Sequence, residues 1–155
     1  MEKIDSLNQV AEFHKTFNAP ILPTPTIPSA DRADLRVKLL QEELDELKEA
    51  IANNDLVEVA DALCDLQYVL SGAVLEFGLG DKFVELFNEV QRSNMSKACA
   101  TQEEADATIK HYKEKGQDAY SEVSGDKINV HRVEDNKVLK SVKYSPADLK
   151  TILDK

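Results

Sequence analysis

The sequence has no tryptophan, two cysteines, and no apolar run near the ~20 residues that a membrane-spanning helix needs. Cys64 and Cys99 belong to no Cys-x-x-Cys pair, so no disulfide framework is implied. Cys64 is expected in a helical core. The three histidines, His14, His111 and His131, are scattered, and none stands three residues after a glutamate. That argues against a zinc set and against the paired Glu-x-x-His of a ferritin-like di-iron bundle. A glycine-rich phosphate loop of the Walker type is also missing. The N-terminus shows no charged-then-apolar leader pattern, and a cytoplasmic protein is expected. Bases are in deficit: 19 Lys and Arg stand against 29 Asp and Glu, for a net charge of −10. Such a chain is not expected to track a nucleic-acid backbone or to sit on an anionic membrane.

One local deficit is more telling. Between Lys48 and Lys82 there is no Lys or Arg. Acids gather in and just before that gap: Glu42, Glu43 and Glu46, then, past Asn53-Asn54-Asp55, Glu58, Asp61 and Asp65. Val37, Leu40, Leu44, Leu47 and Ile51 recur at intervals of three and four, the period of an amphipathic helix. Glu58, Asp61 and Asp65 share that spacing and line one face of a second helix. They are set among Leu56, Val57, Val59, Leu63, Leu66 and Val69, and a helix apolar on most sides is expected to be buried. Carboxylates crowded in a dry region repel one another and lose hydration, so they need cationic partners or raised pKa values. Lys48 lies off the acidic stripe, which leaves a bound cation as the economical answer. Hard carboxylate oxygens without His or Cys suit Mg²⁺, or Mn²⁺.

The run Glu42-Glu43-Leu44-Asp45-Glu46, followed by Glu58-Val59-Ala60-Asp61, resembles the signature of the all-α NTP pyrophosphohydrolases. That superfamily includes MazG, the dimeric dUTPases and the phosphoribosyl-ATP pyrophosphohydrolases. Glu89-Val90-Gln91-Arg92-Ser93-Asn94-Met95-Ser96-Lys97 and Tyr144-Ser145-Pro146-Ala147-Asp148-Leu149 resemble a MazG-like branch. The resemblance implies metal-dependent hydrolysis of a nucleoside triphosphate, a (d)NTP, to the monophosphate and pyrophosphate, as housecleaning of the nucleotide pool. Glu43, Glu46, Glu58 and Asp61 match the metal positions. Glu42 matches the position that orients or deprotonates the attacking water. Asp65 falls outside the four-acid pattern. Asn94, Lys97 and, more weakly, Arg92 are the implied substrate contacts: an amide reads polar edges, and a lysine holds phosphate as a point charge. A homodimer or a tetramer is implied as well. The competing reading is a helical, metal-stabilised interaction module that kept the fold and lost the activity.

At 155 residues the chain suits one domain. The fold read here is mainly all-α: about five helices over 1–120, with a hairpin and a short terminal helix over 121–155 packed on them. Helices are expected over 5–18, with Leu7, Val10, Phe13 and Phe17 as core, and over 30–52 and 55–77, started by Ser29 and by Asn54 or Asp55. His14 is read as a satisfied structural histidine. Residues 19–30, with four of the five prolines, form a stiff extended connector. Asp81 is expected to cap a fourth helix with Phe83, Leu86, Phe87 and Val90 as core, and Thr101 to cap a fifth. Lys127–Val133 and Val138–Tyr144, rich in β-branched residues around Asp135-Asn136, are expected to pair as the hairpin. Ser145-Pro146 then begins the last helix.

Overall fold

The computed structural model describes Glu2 and residues 4–155. Six α-helices and one two-stranded antiparallel sheet form its regular structure, so the chain is mainly all-α, as its periodicities predict. It divides into two compact units, Met1–Phe83 and Val84–Lys155. The division falls at the start of the fourth helix, whereas the change of sequence character lies near residue 120.

The first unit contains α1 (Ser6–Thr16), α2 (Ala30–Ala52) and α3 (Leu56–Glu76), and ends in a single 3₁₀ turn at Gly80–Lys82. Asn54, at φ +54°, breaks the helical path after α2. Asp55 then caps α3, its carboxylate accepting from the backbone N–H groups of Val57 and Glu58. So short a break folds the two helices back against each other as an αα-hairpin. In such a hairpin, residues equally far from the turn stand level. Arg32 and Glu76 are each 22 residues from Asn54, and Arg36 and Gly72 are each 18 from it. Both pairs meet. Arg32 Nη2 donates to Glu76 Oε2 at 3.0 Å, and Arg36 Nε donates to the same carboxylate. A Cβ on Gly72 would lie 2.8 Å from Arg36 Nη1 and 3.1 Å from His14 Nε2, so a residue without a side chain lets both lie against α3.

The open end of the hairpin is therefore a charged core. Glu76 is 1% exposed, and His14 is buried, with its Nδ1 2.8 Å from the carbonyl oxygen of Pro20. His14 is a structural histidine, as expected. The proline-rich segment does more than connect. Leu22 N–H donates to Leu75 O, and Thr26 N–H to Phe77 O, tying the segment to carbonyls at the end of α3. Gly78, at φ +67°, allows this approach, because a Cβ there would collide with the Thr24 carbonyl.

Burial departs from expectation on α3. Ala62 and most residues from Ser71 onward are buried, but Leu56 and Val57 are 80% and 75% exposed, and Cys64 is exposed too. The reason is where α1 packs. Its contacts run through Ser6 with Gln67 and Phe13 with Tyr68, toward the far end of α3. Near the turn, α3 has only α2 beside it among the described helices of this unit. Phe13 and Phe17, expected in the core, are exposed and pack on each other with ring centroids 4.4 Å apart.

The second unit contains α4 (Phe83–Met95), α5 (Gln102–Glu114), β1 (Ala119–Ser124), β2 (Lys127–Arg132) and α6 (Leu149–Leu153). The 3₁₀ turn, not an Asp81 cap, leads into α4. There Leu86 is buried, whereas Phe87 is exposed. Thr101 caps α5 as expected, accepting from Glu104 N–H. Cys99, Ala105, Val130 and Leu139 form the core of this unit.

The hairpin partner is different from the one expected. β2 pairs with β1 in a register running from Ala119↔Arg132 to Ser124↔Lys127. Gly125, at φ +60°, and Asp126 make the two-residue turn, and Gly-Asp is itself a hairpin dipeptide. Asp135-Asn136 remains a turn, with Asn136 at φ +58°, and the chain returns along β2 as far as Leu139 N–H to Val130 O at 2.8 Å. It then leaves the sheet, because Ser141 turns inward to hydrogen-bond Glu104. The last helix starts later than expected: Asp148, not Ser145, is its cap and accepts from Thr151 N–H. No single described helix is long and apolar enough to cross a membrane.

Candidate functional site

α2 carries Glu42, Glu43 and Glu46, and α3 carries Glu58, Asp61 and Asp65. Counting from the turn again orders them. Glu43 and Asp65 each stand eleven residues from Asn54, Glu46 eight and Asp61 seven. Glu58 is only four away, about 10 Å along the axis from the level of Asp65 at ~1.5 Å rise per residue. The acids thus form a ladder between two helices.

The electrostatics follow that ladder. Partial burial pushes the Glu43 carboxyl above its ordinary range, and the charges of Glu46, Asp65, Glu42 and Asp61 push it further. Glu58 is not among these influences. Glu43 Oε2 is buried and has no hydrogen-bond partner among the described residues. A buried acceptor left unpaired costs about 1–3 kcal/mol. The neighbouring bases do not pair with Glu43: Lys38 lies 3.9 Å from Glu42, and Lys48 2.8 Å from Asp45. Among the described residues no ion pair reaches Glu43, Glu46, Glu58, Asp61 or Asp65.

No three His, Cys, Asp or Glu side chains among the described residues close on one point as a metal cage would. The donor set still fits a hard cation that draws only part of its shell from protein. Mg²⁺ keeps several waters and takes one or two carboxylates together with substrate phosphates. The unpaired oxygen of Glu43, amid like charges, is the donor such an ion would satisfy. Asp65 is the member that motif spacing leaves out. Its signal was available in the sequence, since it stands level with Glu43 across the turn.

The remaining candidates belong to the second unit. Arg92 is engaged in structure: its Nε and Nη2 each donate to Glu89 at 2.8 Å, and Nη2 also donates to Pro146 O at 2.9 Å. Those bonds from Arg92, with one from Asp148 N–H, hold the Glu89 carboxyl down to about 2. Asn94 is exposed on α4, and its Oδ1 accepts from Lys97 Nζ at 2.8 Å. Lys97 lies two residues past the end of the helix, half-buried, with no carboxylate partner among the described residues.

Comparison with known proteins supports the acid-bearing region most directly. An uncharacterized protein of Acanthamoeba polyphaga mimivirus is 34% identical over 82 residues, 50% of this chain and 33% of that protein. The chain thus covers about a third of that relative's length. A model of the family described as phosphoribosyl-ATP pyrophosphohydrolase matches residues 10–94, more than half of the chain. The match takes in α2, α3 and all six acids, so the chain belongs to the phosphoribosyl-ATP pyrophosphohydrolase family.

Proposed function

We propose that the chain hydrolyses a nucleoside triphosphate, a (d)NTP, to the monophosphate and pyrophosphate with Mg²⁺ or Mn²⁺. The observation that carries this reading is Glu43: a buried carboxylate oxygen without a partner among the described residues, raised in pKa by burial and then by four neighbouring acids, and neutralised by no described base. A structural carboxylate in this protein looks different, as Glu76 shows with two arginines.

Glu43, Glu46 and Asp61 would hold the cation, with Asp65 and Glu58 at the two ends of the ladder. The cation, when bound, neutralises charge that develops on phosphoryl oxygens and lowers the pKa of a coordinated water. Glu42 is exposed and only loosely held by Lys38, which would leave it available to orient an attacking water and take its proton. Lys97 would hold a phosphate, and Asn94 a polar edge of the nucleotide.

Assembly into a homodimer or tetramer is part of the same proposal. Val37, Leu44 and Ile51 on α2, and Leu56, Leu63 and Leu70 on α3, are all exposed and recur at intervals of seven. Residues seven apart fall on one side of a helix. Two such apolar stripes on one hairpin suit a second copy of the chain.

A pyrophosphate-release assay tests the reading, using a panel of ribo- and deoxynucleoside triphosphates together with phosphoribosyl-ATP. Release with Mg²⁺ or Mn²⁺ is expected, and little with Ca²⁺, whose larger and looser shell misplaces the water. Full turnover after exhaustive chelation removes the metal from the mechanism. No release across the panel favours an inactive interaction module. Lys97→Ala should weaken triphosphate use much more than metal binding.

A further inference from the structure

A pocket in the second unit carries charge opposite to that of the chain. Its volume is about 360 Å³, and its lining includes Lys97, Arg132, Lys137, Lys140 and Tyr112 but no carboxylate. The whole protein has a net charge of −10. Several of its other lysines face acids: Lys48 with Asp45, Lys143 with Glu104, Lys150 with Asp154, Lys155 with Glu85. The three pocket lysines do not. Lys97 donates to the neutral amide oxygen of Asn94, and Lys140 Nζ lies 4.3 Å above the Tyr144 ring. Lys137 makes no ion pair among the described residues. Only Arg132 has a carboxylate, that of Asp135 at 2.8 Å.

The backbone holds these cations together. They come from three stretches: the segment after α4, strand β2, and the return past Asn136. Arg132 N–H donates to Lys137 O at 2.9 Å, Leu139 N–H to Val130 O at 2.8 Å, and Ser141 N–H to Lys97 O at 3.1 Å. Tyr112 closes one side. Its hydroxyl accepts from Lys140 N–H at 3.2 Å, which leaves its own proton free to donate. The Tyr144 hydroxyl reports the local field. It is held below its ordinary range by the Ser93 hydrogen bond first, and then by the charges of Lys140 and Lys97.

Three lysines without an ion pair among the described residues, beside the Asp135-paired Arg132, surround one small cavity and concentrate anions there. We propose that this pocket binds a phosphate-bearing anion of the pyrophosphate class, through Lys97, Lys137, Lys140 and Arg132, with the Tyr112 hydroxyl as a further donor. The anionic class follows from the lining alone. The choice of pyrophosphate rests on the hydrolysis reading, in which pyrophosphate is a product and Lys97 meets a phosphate. The pocket itself needs neither the acid ladder nor a metal.

The test is calorimetric titration of the full chain with sodium pyrophosphate in excess EDTA, with inorganic phosphate as a second arm. Saturable binding is expected for pyrophosphate, tighter than for phosphate and weakened by salt. Lys137→Ala with Lys140→Ala should weaken it at least tenfold, and Tyr112→Phe should weaken it by less. Lys48→Ala with Lys150→Ala removes the same charge elsewhere and should leave it unchanged. Circular dichroism melts confirm that the variants fold. No binding by the parent at millimolar pyrophosphate overturns the proposal, and so does equal weakening by both lysine pairs. Turnover is read separately with Mg²⁺. Binding without turnover keeps the pocket and removes the reaction; turnover without metal-free binding does the reverse.

Discussion

Glu76 and Glu43 are glutamates on two packed helices of one hairpin, and the chain treats them in opposite ways. Glu76 is the more deeply buried, and burial is the largest influence on it, pushing its pKa up. Hydrogen bonds from Arg32 and Arg36, aided by their charges, together outweigh burial and hold the carboxyl below its ordinary range. Glu43 is less buried, yet burial and four other carboxylates all push its pKa the same way, up. One acid is complete within the fold. The other sits among like charges, and in the proposed reading a cation completes it. Desolvation alone therefore does not mark a site in this molecule; the sign of the neighbours does.

The comparison breaks most violently at Glu76. Glu76→Gln should leave Arg36, which is 8% exposed, without a counter-charge. Removing one partner of a buried pair costs about 3–5 kcal/mol. Denaturant unfolding should show a loss of that order. A loss below about 1 kcal/mol, the worth of an exposed ion pair, would mean that the arginines are solvated.

Glu43→Gln should act with the opposite sign. It keeps the shape, removes a charge from a crowd of like charges, and gives the site an amide that can donate. In chelator the variant should be more stable than the parent, by up to about 1 kcal/mol, on the stabilising side of the usual range for single substitutions. Stabilisation by added Mg²⁺ should shrink, because an ion that binds only the folded state stabilises it less when it binds more weakly. Pyrophosphate release should fall by at least about two orders of magnitude, equivalent to ~2.7 kcal/mol of transition-state stabilisation. Melting curves with and without Mg²⁺, beside the release assay, check all three. A less stable apo variant with intact turnover would place Glu43 with Glu76, as a structural acid.

Much of this contrast was legible in the chain, and some was hidden. The bounds of α2 and α3 follow from their apolar period and from the cap at Asp55, and they match to within a residue. The acidic motif points to Glu43 and Glu46. Asp65 shares the spacing of Glu58 and Asp61, but that spacing does not show its level with Glu43, and the Arg32–Arg36–Glu76 cluster lies off any local motif, because its members are up to 44 residues apart. They become visible only once the hairpin is folded about Asn54 and levels are counted. The exposure of Leu56 and Val57 is not a property of α3 at all. It depends on how far α1 reaches along the helix, which no periodicity records. The hairpin differs from the expected one for a related reason: β-propensity marks strands but not partners. Val138–Tyr144 is as β-branched as β2, yet Ser141 is drawn off by a buried glutamate on another helix.

The smallest effect is a matter of pH, and it sets the two kinds of acid against each other in one curve. A carboxyl raised in the folded state, such as Glu43, binds its proton more tightly folded than unfolded. Its favourable contribution is full below the unfolded value and is lost as pH rises through the folded one. Lowering the pH from neutral should therefore stabilise the metal-free parent through Glu43. A carboxyl lowered in the folded state does the reverse. Glu76 and Glu89, with ordinary values of 4.5 and Glu89 held to about 2, contribute above 4.5 and lose that contribution as pH falls toward their folded values. The apo parent should accordingly show a shallow stability maximum on the acid side of neutrality, then a decline below pH ~4.5. Glu43→Gln should flatten the rise on the neutral side and leave the acid decline alone. Arg92→Ala should soften the acid decline, by removing the bonds that depress Glu89, and leave the rise alone. Melting temperatures of the three proteins in EDTA, taken from pH 8 to pH 2.5, measure both slopes. If Glu43→Gln and the parent share one curve, the crowding at Glu43 does not reach the stability of the fold.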